Sequence, residues 1–112
     1  MKLSAVRRVA TALPEVMELP HHQLGSFRVR GKIFVTWPDD EHLHVFVTEA
    51  QRELALAMHP EFVDKLLWGG KVVGVRVILS QADPAVVTQL VQQAWAHKAP
   101  RSLRAGTDIA EG

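Results

Sequence analysis

The apolar residues of this chain change their spacing part-way along it, and that change limits the available folds more than any other feature. Leu3, Val6, Ala10 and Leu13 recur every three or four positions, which lines them along one side of a helix with Arg7 and Arg8 turned outward. Ser4 is the expected N-cap, and Leu13-Pro14 ends the helix because the residue before a proline is driven out of helical geometry. From Ser26 the period becomes two. Phe27, Val29, Ile33 and Val35 share one face of an extended run, and Arg28, Arg30 and Lys32 share the other. An alternating run has to lay its apolar side on a second layer, so helices and sheet are expected in one architecture.

The remaining segments extend this pattern. Glu15 to Gly25, with Pro20 and the His21-His22 pair, shows no clear period and reads as a connection. Pro38-Asp39-Asp40-Glu41 is a turn, after which Leu43, Val45 and Val47 face inward and His42, His44 and Phe46 outward, completing an antiparallel hairpin with the preceding strand. Phe34 and Phe46 share the outward parity, which implies either a face that is not fully wet or a bulge at Gly31. Thr48-Glu49-Ala50-Gln51 fits a capping box, and Leu54, Ala55 and Met58 continue the helix it starts. His59-Pro60 interrupts that helix. Pro60-Glu61 then opens a further helix carrying Phe62, Val63, Leu66 and Leu67, stopped by Gly69-Gly70. Val72 to Leu79 is a third strand with Arg76 as its single charge. Asp83-Pro84 caps and begins a helix with a broad stripe of Val86, Val87, Leu90, Val91, Ala94 and Trp95. The expected fold class is α+β, helices on one side of an antiparallel sheet, with one domain over residues 1–103 and a flexible tail over 104–112.

Composition removes several function classes. At 112 residues and 47% hydrophobic, with seven Gly and six Pro scattered, the chain is neither collagen-like nor low-complexity. It has no cysteine, hence no disulfide framework, thiolate nucleophile or Cys-based metal site, which suits a reducing cytoplasm. No apolar run approaches the roughly 18 residues of a membrane span, and Val9 to Leu13 after the Arg pair is too short for a signal core. Thirteen Lys and Arg against twelve Asp and Glu leave a net charge of +1, so any nucleic-acid contact must come from local clustering.

One such cluster is visible. On a continuous strand Arg28, Arg30 and Lys32 stand about 6 to 7 Å apart, a spacing that resembles successive phosphates. Arg76 extends the row, and Lys71, Lys98, Arg101 and Arg104 flank it if the fold brings them near. Four phosphate contacts would give a salt slope of about −0.9 each. The competing reading is a solvated strand face whose charges protect a sheet edge. His42-x-His44 with His21-His22 does not complete a metal site, for no Asp or Glu stands at a suitable spacing. Ser4, Ser26, Ser80 and Ser102 lie at caps, turns or the tail, and Gly69-Gly70-Lys71 lacks the remainder of a phosphate loop. No enzyme, metal or cofactor is expected. Trp68 and Trp95 sit on amphipathic stripes and should pack, whereas Trp37, at a strand end before Pro38, should be exposed.

The order of these elements resembles the MmcQ/YjbR family. The resemblance runs from about residue 5 to 103 and is carried by Ala12-Leu13-Pro14-Glu15-Val16, by Phe27-Arg28-Val29-Arg30-Gly31-Lys32-Ile33-Phe34, and by Ala94-Trp95 before Ala99-Pro100-Arg101. It implies a two-layer fold similar to secretion chaperones, and DNA binding through a double-wing motif. Carried over residue by residue, the basic positions are Arg28, Arg30 and Lys32, then Arg76 and Lys71. Phe46 stands where relatives often carry a Lys, and Val73-Gly74 replaces a usual Gly-Trp, so this face is less basic than theirs. The expected activity is weak, sequence-independent binding of DNA or another polyanion. The alternative is a protein-interaction module or homodimer that uses an apolar patch of Phe34, Phe46 and Trp37.

Overall fold

A computed structural model describes residues 1–105. The elements run α1 (Leu3–Thr11), β1 (Val16–His21), β2 (Leu24–Val29), β3 (Lys32–Trp37), β4 (His42–Val45), α2 (Glu49–Met58), β5 (Val63–Trp68), β6 (Lys71–Ile78), α3 (Pro84–Lys98) and α4 (Arg101–Ala105). The strands form one sheet in the order β1-β2-β3-β4-β6-β5, every neighbouring pair antiparallel. The architecture is the α+β class expected from the alternating and helical runs.

One face of the sheet carries the core. Phe27, Val29, Val35, Leu43, Val45, Val75 and Val77 are all fully buried there against Val6 and Ala10 of α1 and Val87, Val91, Ala94 and Trp95 of α3. The indole N–H of Trp95 donates to the Pro14 carbonyl at 3.0 Å, tying the end of α3 to the exit of α1. Burying side chains of this size stabilises by about 1.5–3 kcal/mol each, which is why the strictly periodic segments fold where the sequence places them. Thr48 and Gln51 form the expected capping box, and the Asp83 carboxylate accepts from Ala85 N–H ahead of Pro84.

Five local expectations are corrected. At α1 the cap is Lys2, whose carbonyl accepts from Ala5 and Val6 N–H, and not Ser4. Glu15 to Gly25 is no connection but β1 and the start of β2. Pro20 is tolerated because β1 is an edge strand, where a missing N–H costs no ladder bond. The run from Ser26 to Val35 is two strands, since Arg30 and Gly31 both take positive φ, 49° and 81°, and turn the chain back on itself. The bulge lies at Phe34, which has no partner between the Phe27–Val35 and Arg28–Ile33 pairs. Finally, Phe62 to Trp68 is not a helix. Val63–Trp68 pairs with β6, and Gly69-Gly70, at φ 54° and 81°, is the turn of a hairpin. Arg101–Ala105 is helical and reaches two residues into the expected tail, whose remainder, 106–112, lies outside the described residues.

Candidate nucleic-acid interface

The turn at Arg30-Gly31 decides the geometry of the predicted basic row. Cross-strand partners share a face, so Arg28, opposite Ile33, lies on the side of the sheet away from the helices. Lys32, opposite the buried Val29, lies on the helix side. Arg30 sits in the turn itself, and its guanidinium donates twice to the Glu15 carboxylate, at 2.7 and 2.9 Å. That pairing holds the Glu15 carboxyl below its ordinary range. Arg28 folds along its own hairpin, within 3.3 Å of both Ser26 Oγ and the Pro20 carbonyl. The expected row of three parallel cations therefore does not form, because it requires an uninterrupted strand. Arg76 lies opposite His44 and Asp64, three strands from Arg28, or roughly 14 Å across the sheet.

The pairing register gathers a different set. β3 and β6 both begin at the end of the sheet where β4 and β5 finish, so the Arg30-Gly31 and Gly69-Gly70 turns project from the same end. Lys32 and Lys71 are the exposed first residues of β3 and β6. Lys98, the last residue of α3, lines a groove of about 460 Å³ together with Ile33, Phe46, Trp68 and Val73. Arg101 follows three residues later and is exposed. The imidazole of His97 is pushed down by burial and by the nearby Lys98 and Arg104 charges, which marks the same concentration of cations.

Six of the ten carboxylates among residues 1–105 collect at the opposite end. Asp39, Asp40 and Glu41 form the β3–β4 turn, Glu61 and Asp64 flank the start of β5, and Asp83 caps α3. Leu79 N–H donates to the Glu41 carbonyl and Ile78 N–H to the Phe62 carbonyl, which ties these segments together. Lys2 and Arg7 stand beside Asp40 and Glu41 there, and Glu15 beside Arg30 at the other end, so the net charge of +1 conceals a partial separation of charge along the strands.

The tryptophans exchange the roles the sequence gives them. Trp37 is 9% exposed, with its indole over Gly25 and 4.5 Å from the Phe27 ring. Gly25 has no Cβ to occupy that space. Trp68 is 56% exposed, because the open face at the end of an edge strand has no helix above it, and its ring lies 6.2 Å from Phe46. Phe34 is fully buried, so the expected apolar patch of Phe34, Phe46 and Trp37 is replaced by Phe46 and Trp68. The signal for Trp68 was present in the Gly-Gly pair, which marks a hairpin when apolar runs flank it.

The histidines are dispersed into local pairs. His42 Nδ1 contacts the Asp39 carboxylate at 2.9 Å, and His44 Nδ1 lies 3.2 Å from Thr36 Oγ1. Burial, then Arg76 and His42, lower the His44 pKa, with Asp39 opposing them. Among the described residues, no three His, Cys, Asp or Glu side chains gather into a metal-holding group.

The family model described as YjbR matches residues 11–97. The chain belongs to the YjbR family. Most of α1 and the basic residues Lys98 and Arg101 lie outside the matched span, whereas both hairpins lie within it. The crystal structure of Deinococcus radiodurans protein DR2400, a DUF419 domain, is similar to this YjbR chain with a TM-score of 0.74 at 15% identity. The likeness covers 96% of this chain and 87% of that one, and at this identity it speaks for the fold alone. No curated protein sequence matches. Among the described residues no helix is long and apolar enough to cross a membrane.

Proposed function

We propose that this YjbR protein binds nucleic acid without sequence preference, through the end that presents both hairpin turns and the close of α3. The observation that carries the reading is the position of Lys32, Lys71 and Lys98 at one end, with Arg101 three residues beyond Lys98, in a molecule that places six carboxylates at the other end. Such a separation turns the cationic end toward a polyanion and the acidic end away from it. Lysines on turns and strand starts contact phosphates, which position a nucleic acid without reading its bases. The proposal includes binding rather than catalysis, and a cytoplasmic setting in keeping with the absence of cysteine.

Charge reversal tests it. At about 50 mM salt, Lys32→Glu, Lys71→Glu and Lys98→Glu combined are expected to abolish anisotropy-detected binding of a labelled oligonucleotide. Arg76→Gln, beside Asp64 toward the acidic end, should leave binding within about twofold, an effect no larger than that of a single screened surface charge. Equal loss from both would overturn the assignment.

A second reading is self-association. Leu54 and Met58, one turn apart on α2, are 60% and 61% exposed and line a groove against Val86 and Leu90 of α3. Light scattering decides this reading: a dimer lost in Met58→Lys supports it, and a monomer at all concentrations removes it.

A further inference from the structure

We infer that the groove beside Trp68 receives an unstacked base, so that the basic end takes single-stranded nucleic acid in preference to duplex. The inference rests on the preceding reading and names its substrate class. Four observations carry it. Trp68 is the single tryptophan among the three with a largely exposed ring, since Trp37 is 9% and Trp95 0% exposed. Its neighbour Phe46 packs against it in a tilted contact, 6.2 Å between ring centroids at 55°, that steadies the indole and leaves it largely exposed. Ile33 and Val73 give the groove beside it apolar walls, and His21, Thr36 and Lys98 line the same groove with polar groups. Lys71 is the cross-strand partner of Trp68 across the Gly69-Gly70 turn, so a cation stands beside the ring.

The chemistry that matches this arrangement has a flat apolar face and an anionic link on either side. An unpaired nucleotide provides both. A duplex buries its base faces in the helix and offers the groove only phosphates and edges, so it gains the electrostatic contribution alone. The aromatic contribution is worth roughly 5- to 150-fold in affinity for one stacked base. Because every base has a face, the preference is for strandedness and not for sequence.

The test compares a 15-nucleotide oligo-dT with a 15-base-pair duplex by anisotropy, using the full chain, and follows its intrinsic tryptophan emission in parallel. The expected result is tighter binding of oligo-dT by at least about fivefold, with quenched emission, since Trp68 is the accessible fluorophore. Trp68→Ala should weaken oligo-dT binding by about 5- to 150-fold and leave duplex binding unchanged, while Trp68→Phe retains most of the preference. Equal affinities for the two probes, with Trp68→Ala affecting neither and the salt dependence intact, would overturn the stacking inference and leave polyanion binding standing. No binding of either probe at about 50 mM salt would overturn both.

Discussion

Replacing Gly25 with Ala tests whether the β2–β3 pairing is built around Trp37. A Cβ at Gly25 would fall inside the van der Waals envelope of the indole, against Cε2, Cζ2 and Nε1. Comfortable carbon contacts need about 3.5–4.0 Å, so the ring would have to withdraw by at least about 1 Å. It has no room to do so, being 9% exposed and packed 4.5 Å from the Phe27 ring. Overpacking of this kind costs about 1–3 kcal/mol, and loss of the aromatic pair adds about 0.5–1.5 kcal/mol. The lower backbone entropy of Ala in the unfolded chain returns about 0.4–1 kcal/mol. The net expectation is a loss of about 2 kcal/mol, or roughly 8 °C in Tm for a domain of this size. Urea unfolding measures it, with the m-value as a check on two-state behaviour. In a Trp37→Leu background the same Gly25→Ala change should cost less than about 0.5 kcal/mol, since the obstructing ring is gone. Equal cost in both backgrounds, or no cost in either, would refute the packing argument.

Three further outcomes follow from single contacts. Thr48→Ala removes the capping-box acceptor and should destabilise by about 1 kcal/mol, read from the urea midpoint. Trp95→Phe leaves the Pro14 carbonyl without its indole donor and should cost about 1–3 kcal/mol in the same assay. His44 has a folded pKa below its ordinary 6.5, through burial first and then Arg76 and His42, so the unfolded state binds its proton more readily. Its contribution is therefore complete above pH 6.5 and is lost as pH falls toward the lower folded value, and His44→Gln should flatten that part of the stability profile.

Much of the fold is legible in the sequence because caps and periods agree with each other. Leu3, Val6, Ala10 and Leu13 mark α1, the Thr48–Gln51 box starts α2, and Asp83-Pro84 starts α3. The β2–β3 hairpin was concealed by two interruptions that cancel. The two-residue turn moves the helix-facing positions from odd to even numbers, and the bulge at Phe34 returns them to odd ones at Val35 and Trp37. The sequence consequently alternates as if one strand ran through. β5 deceived for another reason: Val63 faces the core and Leu66 the open side, and together with Phe62 they imitate helical spacing on an edge strand. The candidate site suffered from both errors. Arg28, Arg30 and Lys32 look like a row only on a continuous strand, and Trp68 looks packed only on a helix. Lys71, Lys98 and Arg101 are visible as flanking charges, but what brings Lys71 to the end that holds Lys32 is register across β3, β4 and β6, and what brings Lys98 there is the packing of α3 on the sheet, of which local spacing carries no trace.

The most direct test of the account is the dependence of oligonucleotide affinity on salt. If Lys32, Lys71, Lys98 and Arg101 each neutralise one phosphate, log K should fall against log salt with a slope of about −2.8 for a single strand and about −3.6 for a duplex. Raising salt from about 50 to 200 mM should then weaken binding about 50-fold or 150-fold respectively, and Lys98→Ala should make the slope shallower by about 0.7 to 0.9. A flat dependence, or a slope that stays the same after all four side chains are replaced by Ala, would contradict the central claim.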